Sequence, residues 1–271
     1  MHCRLAALLT CVGLLAAPLA AQSPQLLTFT AMDFAFRAPP TARAGLATVR
    51  LVNAGTKLHH VQLVRLGEGK TVRDLIDAWR ARDPFPAWAV GMGGPTAAWK
   101  GQTLEATVVL EPGRYGVVCW VPAPDGQLHL MKGMFATLEV TGSAGAATLP
   151  KADATITLFD YNYQVTGALS RTTRAVRVEN KGPQTHELVL VRLAPGKSPL
   201  DAAKWAEGGQ VTDPPGEMVA GVSGLAPGRA AVIRPALRSG RYALVCFVPD
   251  AKSAAHKAHV ELGMMKEIVV Q

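Results

Sequence analysis

The chain repeats itself at a constant separation, and this repeat restricts the possible folds more than any other feature. The segment NAGTKLHHVQLVRL at Asn53–Leu66 matches NKGPQTHELVLVRL at Asn180–Leu193. The segment EPGRYGVVCWVP at Glu111–Pro122 likewise matches RSGRYALVCFVP at Arg238–Pro249. Residues able to carry chemistry recur at the same separation of 127 positions, namely Asp33 with Asp160, Asn53 with Asn180, His59 with His186, Tyr115 with Tyr242 and Cys119 with Cys246. Such a repeat predicts two tandem copies of one domain.

The repeat continues beyond the cysteines with one change in length. Copy two has three extra residues there, so His129 corresponds to His259 and Met134 corresponds to Met264. Each copy therefore carries the same ordered set: a histidine, a cysteine, a second histidine and a methionine.

The N-terminal residues have the pattern of a secretory signal peptide. Arg4 precedes the almost wholly apolar run Leu5–Leu19, and small residues follow that run. A positive start, a short apolar core and a small-residue end are typical of such signals. We therefore predict a signal peptide at 1–21. We expect a periplasmic or otherwise extracytoplasmic protein, with no membrane span in the mature chain.

A segment of small residues separates the two copies. Thr141–Ala152 (TGSAGAATLPKA) has no apolar periodicity and is typical of a linker. We place copy one at 22–143, the linker at 144–153 and copy two at 154–271. With 271 residues in the chain, each copy is long enough to bury a core of its own.

Composition narrows the class of function. Hydrophobic residues make up 49% of the chain and charged residues 18%, as in a folded globular protein. The formal net charge is +8, but the basic residues are scattered, which argues against a nucleic-acid partner. A basic surface favours an acidic protein partner. The oligomeric state is left open.

Each copy is predicted to consist mainly of short strands bounded by glycine and proline turns. The predicted strands of copy one are Ala47–Val52, Val61–Arg65, Thr107–Leu110, Tyr115–Val121 and Phe135–Val140. Those of copy two are Arg174–Glu179, Leu188–Arg192, Ala230–Ile233, Tyr242–Val248 and Glu267–Val270. The pattern predicts an all-β fold built as a sandwich or a barrel.

One short helix interrupts the strands of each copy. The apolar residues of 72–79 recur at helical spacing. Thr71 and Asp74 are placed to form a capping box at the start of this helix, and Ser198 and Asp201 are placed to do the same in copy two.

Two cysteines, Cys119 and Cys246, remain after the signal peptide. An exported protein would usually join such a pair in a disulfide. These two are equivalent positions of separate copies, however, and a disulfide requires Cα atoms within about 7 Å. We therefore expect two free thiols.

The repeated residues form a ligand set suited to a metal ion. The set is His59, Cys119, His129 and Met134 in copy one, and His186, Cys246, His259 and Met264 in copy two. Two imidazoles and a thiolate, with a thioether as a weak fourth ligand, suit copper that cycles between Cu(I) and Cu(II). Zinc also accepts histidine and cysteine, but the methionine favours copper. We expect two copper ions per chain.

The order of these residues resembles that of the cupredoxins, the small blue copper proteins. HLMKGM at His129–Met134 and HVELGM at His259–Met264 are similar to the end of the ligand loop in the plastocyanin and halocyanin branch. The resemblance extends over nearly the whole mature chain. It implies two tandem Greek-key β-sandwich domains, each with a type 1 copper site.

The spacing within the ligand loop departs from that family. Nine residues separate Cys119 from His129 and twelve separate Cys246 from His259, whereas familiar members have only a few. His256 keeps the nine-residue spacing in copy two and is the alternative to His259. We prefer His259 because it keeps the spacing to the following methionine.

Other residues near the ligand loop leave alternatives. Met131 and Met265 are alternatives for the fourth ligand. His60 aligns with Glu187, so we assign it no ligand role.

The resemblance implies an electron carrier that exchanges electrons with a redox protein partner. A copper storage or delivery protein is the alternative; it would use the same ligands in looser sites with exposed thiolates. A two-domain copper oxidase or nitrite reductase is a lesser alternative. The chain has no His-x-His motif, and Trp120 and Phe247 follow the cysteines where nitrite reductases have a histidine. We therefore expect no enzymatic activity and no catalytic residues.

Overall fold

The structure, a computed structural model, describes residues 23–210 and 212–271. The predicted signal peptide at 1–21 lies outside the described residues. Within them, no helix has both the length and the apolar character needed to cross a membrane.

The regular secondary structure of the described part of the chain is mostly β-strand. Copy one contains β1 (Gln25–Met32), β2 (Ala35–Arg37), β3 (Thr41–Arg43), β4 (Gly45–Asn53), β5 (Gln62–Leu66), β6 (Ala89–Gly93), β7 (Thr103–Leu110), β8 (Gly113–Val118) and β9 (Phe135–Thr141). Copy two contains β10 (Ala154–Phe159), β11 (Asn162–Thr166), β12 (Val176–Asn180), β13 (His186–Leu193), β14 (Gly216–Leu225), β15 (Ala230–Ile233), β16 (Gly240–Val245) and β17 (Met265–Val270). Every strand predicted from the sequence overlaps one of these, so the all-β prediction is confirmed.

The strands form two sheets, and both sheets run through both copies. One sheet has the order β11-β10-β12-β15-β7-β4-β1-β2, and the other has the order β17-β16-β13-β14-β6-β5-β8-β9-β3. Replacing each strand with its equivalent in the other copy reverses the strand order of each sheet. Only β3 has no equivalent among the described strands. The copies are therefore related by an approximate twofold axis between β7 and β15 and between β6 and β14.

Hydrogen bonds across this junction are reciprocal. The N–H of Thr96 donates to the carbonyl of Gly221 at 3.4 Å, and its counterpart Ser223 donates to the carbonyl of Gly94 at 2.9 Å. The copies thus meet through the same patch on each side, as in an isologous dimer. The sequence predicted two sandwiches in tandem; the structure adds that their sheets are continuous.

The two predicted helices are also confirmed. They are α1 (Val72–Arg80) and α2 (Pro199–Glu207). At their starts, the Asp74 carboxylate accepts the N–H of Thr71 at 2.9 Å and the Asp201 carboxylate accepts the N–H of Ser198 at 2.8 Å. These bonds satisfy backbone donors that a helix start leaves free.

The inner faces of the two sheets enclose one apolar core. Phe29 and Leu51 come from one sheet of copy one, and Leu63 and Val117 come from the other; all four are fully buried. Buried residues of copy two belong to the same contiguous cluster. Residues 142–153 carry neither helix nor strand, and the domain limits proposed around them stay predictions.

Candidate metal centres

Three of the four predicted ligands of copy one converge. His59 Nδ1 lies 3.1 Å from His129 Nδ1, and Cys119 Sγ lies 3.5 Å from the same atom. The donor atoms of the three residues all lie within 4.8 Å of one another. Donors that bind one ion at about 2 Å lie roughly 3 to 4 Å apart, so this cluster has the spacing of a metal site.

The cluster of copy two has nearly the same dimensions. His186 Nδ1 lies 3.1 Å from His259 Nδ1, and Cys246 Sγ lies 3.4 Å from His259 Nδ1. Both cysteines are free thiols, so the expectation of no disulfide is confirmed.

The structure brings His259, and not His256, to this cluster. The N–H of His259 donates to the carbonyl of Val248 at 2.9 Å, just as His129 donates to Val121 at 2.9 Å. The three extra residues therefore bulge out before the histidine and leave its backbone contacts unchanged. The geometry favours His259.

The two methionines follow these histidines closely. Met134 and Met264 are fully buried, and their N–H groups donate to the carbonyls of His129 at 2.9 Å and of His259 at 2.8 Å. Met131 instead packs into a separate apolar cluster near α1. The role of Met134 and Met264 as fourth ligands stays a prediction.

The cysteines lie just beyond the ends of their strands. β8 ends at Val118 and β16 at Val245, so the predicted strands Tyr115–Val121 and Tyr242–Val248 are too long. The carbonyls of Cys119 and Cys246 bond to the ligand loop instead of a neighbouring strand, because they accept the N–H groups of residues 130 and 260 at 2.9 and 2.8 Å. These bonds tie each thiol to the loop that carries the second histidine.

An aspartate orients the first histidine of each cluster. His59 Nε2 lies 3.0 Å from Asp33 Oδ1, and His186 Nε2 lies 2.9 Å from Asp160 Oδ1. Because a carboxylate can only accept here, Nε2 carries the proton and Nδ1 presents its lone pair to the cluster. A ring-orienting carboxylate of this kind is a common partner of metal-binding histidine.

Asp33 and Asp160 recur as a repeated pair in the sequence, but the repeat alone indicated no role for them. The signal was available, because they share the separation of the first histidines and the cysteines. Their contact with the histidines could not be inferred, since 26 positions separate each aspartate from its histidine.

The Asn-x-Gly turn before each first histidine fits tightly around this pair. The Asn53 side chain donates to the carbonyls of Lys57 and Ala98, both at 2.7 Å. A Cβ on Gly55 would lie 2.5 Å from Asp33 Oδ1 and 2.9 Å from His59 Nε2. Glycine is therefore required here so that the turn can pack against the histidine and its aspartate.

The hairpin turn that supplies the aspartate also supplies an aromatic cover. Phe34 packs edge-on against His129, with ring centroids 5.1 Å apart, and Tyr161 packs in the same way against His259 at 5.7 Å. Both aromatic side chains are half-buried, so they lie between the cluster and the surface.

Burial sets the protonation of the clusters. Burial, together with the neighbouring histidine of each pair, lowers the pKa of His129 to about 4 and that of His259 to about 4. Burial raises the pKa of the Cys119 thiol to about 12. At neutral pH the imidazoles are therefore neutral, while each thiol keeps its proton until a metal displaces it.

These shifts predict that the metal-free protein loses stability in mild acid. Burial lowers the pKa of His60 to about 3 and those of His129 and His259 to about 4, below the usual value of 6.5. Below about pH 6.5 the unfolded chain therefore binds more protons than the folded chain. Each of these histidines lowers the free energy of unfolding by about 2 kcal/mol at pH 5. Burial raises the pKa of Glu187 to about 7, so at pH 5 the folded chain binds a proton there that the unfolded chain largely lacks. This carboxyl therefore raises the free energy of unfolding on acidification by a similar amount. We expect a net loss of roughly 4 kcal/mol between pH 7.5 and pH 5.

Urea denaturation of the metal-free protein at these two pH values measures this loss. In Glu187→Gln the opposing carboxyl is gone, so the loss on acidification should be larger than in the unmodified protein. Equal stability at the two pH values would contradict the account of the buried histidines.

A second prediction concerns the orienting aspartates. We expect Asp160→Ala to lower the copper affinity of copy two by about 10-fold to 100-fold, because His186 loses the acceptor that fixes its ring and tautomer. Asp33→Ala should do the same in copy one only. Competition titrations with a Cu(I) chelator measure the effect, with Asp160→Asn, which keeps an acceptor oxygen, as the milder control. Unchanged affinity in Asp160→Ala would show that the aspartate does not support the site.

The donor set of each cluster fits copper. It offers two neutral imidazole nitrogens and a thiol, all buried, with the first histidine oriented by a carboxylate. In copy two, His259 Nε2 is buried without a hydrogen-bond partner among the described residues, and the nearest carboxylate oxygen, on Asp250, lies 4.0 Å away. Nδ1, not Nε2, is therefore the atom that each histidine turns toward its cluster.

Comparison with known proteins finds similarity only to solved structures. The chain matches no protein-family profile and no curated protein sequence. Similar solved structures include auracyanin A, a blue copper protein from Chloroflexus aurantiacus, at 21% identity over 44% of this chain and 100% of that chain, with a TM-score of 0.31. They also include a copper-containing nitrite reductase from Thermus scotoductus, at 13% identity over 91% of this chain and 61% of that chain, with a TM-score of 0.24. A blue copper oxidase from Nitrosomonas europaea covers 92% of this chain and 86% of its own, at 14% identity and a TM-score of 0.27.

The chain is a two-copy β-sandwich protein with two candidate metal sites, and the solved structures similar to it include blue copper proteins, as the predicted resemblance implies. Single-copy neighbours match one half of it, and neighbours that match nearly all of it are copper enzymes. The case for copper in this chain rests on its own donor atoms rather than on these similarities.

Proposed function

We propose that this protein is an extracytoplasmic electron carrier with two type 1-like copper sites. The proposed ligands are His59, Cys119, His129 and Met134 in copy one, and His186, Cys246, His259 and Met264 in copy two. Copper bound there supplies one-electron chemistry by cycling between Cu(I) and Cu(II).

The observation that carries this proposal is that both clusters are assembled and completely buried. The imidazole and thiol side chains of each cluster are at most 1% exposed. The first histidine is fixed by its aspartate, and the loop backbone fixes the second histidine to the strand end that bears the cysteine. A rigid, dry site changes little between oxidation states, and a small change in geometry favours rapid electron transfer.

The same burial argues against copper storage or delivery. Handing over a metal ion requires an incoming ligand to reach the metal-bound thiolate. Cys119 and Cys246 are both 0% exposed, so exchange would require each loop to open. The looser, exposed sites expected of a delivery protein are therefore not the arrangement that these residues form.

The aromatic covers support a route for electrons to a partner. Phe34 and Tyr161 connect the second histidine of each cluster with the surface. Lys132 lies 5.4 Å from the centre of the Phe34 ring, and Lys252 pairs with Asp160 beside Tyr161. Lys132 also pairs with Asp125, so a carboxylate balances each of these lysines, and the acidic redox partner is proposed from the formal net charge of +8.

A coupled spectroscopic and electrochemical titration tests this function. We expect the copper-loaded protein to take up two electrons per chain reversibly, and its visible absorption to bleach and return over repeated cycles without loss of metal. A protein that holds only Cu(I), or that releases copper on oxidation, would instead be a store. Catalytic reoxidation of the reduced protein by dioxygen or nitrite would identify an enzyme.

A further inference from the structure

A cavity of about 250 Å³ lies at the junction of the two copies. We call it the junction cavity. Its lining includes counterparts from both copies, namely Leu58 with Thr185, His60 with Glu187, Gln62 with Val189, Trp120 with Phe247, Val121 with Val248 and Pro122 with Pro249. The cavity therefore lies near the approximate twofold axis and touches the segment that follows each cysteine. Trp120 and Phe247 are half-buried walls of this cavity.

His60 presents an unused donor to the cavity. Its Nε2 accepts the N–H of Trp120 at 2.7 Å, so the proton of the neutral ring lies on Nδ1. Among residues 23–210 and 212–271 the structure gives this N–H no protein acceptor. The side chain is deeply buried, since His60 as a whole is 7% exposed.

Glu187, the counterpart of His60, presents an unused acceptor. Its Oε1 accepts the N–H of Phe247 at 2.8 Å, and its Oε2 has no protein donor within the described ranges. Glu187 is 6% exposed. Both residues line the cavity, and neither of these two atoms bonds to the described protein, so each is available to a ligand in the cavity.

The remaining walls are apolar and largely aromatic. Trp79, Phe85, Trp120 and Phe247 all line the cavity, and Trp79 packs against Trp120 with ring centroids 4.9 Å apart. A cavity of about 150 Å³ is large enough to hold benzene, so this one admits a substituted aromatic ring. Aromatic walls favour stacked or edge-on contacts with such a ring.

The polar groups narrow the ligand class further. The N–H of His60 requires an acceptor. Above the Glu187 pKa of about 7, the free oxygen of the ionised carboxylate requires a donor. A hydroxyl group supplies both, whereas an ammonium only donates and a carboxylate only accepts. We propose that the junction cavity binds a small hydroxyarene, a single aromatic ring bearing a hydroxyl group. This binding does not depend on copper and stands apart from the proposed electron carriage.

Ligands of matched size test the proposal on the metal-free full chain. The probes are phenol, toluene and benzylammonium, each titrated while the indole N–H signals of the tryptophans are followed by NMR. We expect phenol to shift the signals of Trp79 and Trp120 saturably and to leave unchanged that of Trp99, which lines a different pocket beside Arg192 and Gly240. Toluene should bind at least about tenfold more weakly, because it leaves both polar groups unpaired, and benzylammonium should not bind.

The chain itself offers the matched variant. A histidine is accommodated at position 60, so Glu187→His keeps an acceptor for the N–H of Phe247 but replaces the free carboxylate oxygen with a donor. We expect this variant to weaken phenol binding about tenfold. Glu187→Gln is the second variant, since it also keeps the acceptor toward Phe247, and thermal melting checks that each variant is folded. The proposal would be overturned if toluene binds as tightly as phenol or if benzylammonium binds preferentially. It would also be overturned if all tryptophan signals shift without saturation, or if folded variants keep the phenol affinity unchanged.

Discussion

Replacing Cys119 with serine should remove about half of the visible absorption of the Cu(II)-loaded protein, and replacing Cys246 should remove the other half. Thiolate-to-copper charge transfer requires a thiolate, and a serine hydroxyl of similar size cannot supply it. Both thiols are completely buried, so no outside ligand can take their place. The double variant should be colorless. Visible absorption normalised to copper content measures the effect.

The share of visible absorption lost in each single variant shows which of the two copies holds a copper–thiolate site. If Cys119→Ser abolishes the whole band, only copy one holds a copper–thiolate site. If neither single variant changes the band, the thiols are not ligands and the proposed sites are wrong. Because the two clusters have nearly the same donor spacings, the account predicts nearly equal losses.

The second large effect concerns the junction between the copies. We expect Gly221→Ala to lower the free energy of unfolding by roughly 3 to 5 kcal/mol. Gly221 has a φ of +156°, and an added Cβ would lie 2.1 Å from the carbonyl oxygen of Leu188. Its counterpart Gly94 has a φ of +141°, and its Cβ would lie 2.2 Å from the carbonyl oxygen of Val61. A backbone oxygen cannot move aside as a flexible side chain can, so β14 must separate locally from its neighbour β13.

Urea denaturation of the metal-free protein measures this loss, and Gly126→Ala is its matched control. Gly126 also has a positive φ, of +78°, but an added Cβ there would meet nothing within 4 Å. The control should therefore lose only about 1 kcal/mol, from backbone conformation alone. If Gly221→Ala is no less stable than Gly126→Ala, β13 and β14 do not approach as closely as described.

Much of this arrangement could be predicted from sequence because the repeat linked distant residues. The strand positions, the helix caps and the grouping of each histidine with its cysteine all followed from matched local patterns. β6 (AVGMG) and β14 (GEMVAGVSGL) were not predicted, since their glycines are poor strand formers. They form strands because β6 pairs with β5 and β14 pairs with β13; across the twofold junction they pair with each other at Met92 and Leu225.

Other features were not predicted because they depend on contacts between segments with no common local pattern. Asp33 reaches His59 from a hairpin turn far away in the chain. His60 and Glu187 differ in residue type, so their alignment suggested no shared role, yet each accepts the N–H that follows its copy's cysteine. Only the folded arrangement shows that both face one cavity.

The most direct test of the central claim is native mass spectrometry of the mature protein exposed to equal amounts of copper and zinc, with the visible spectrum recorded on the same sample. The account predicts two copper ions per chain and a strong thiolate-to-copper band. Two zinc ions, fewer than two metal ions, or two copper ions without color would contradict it.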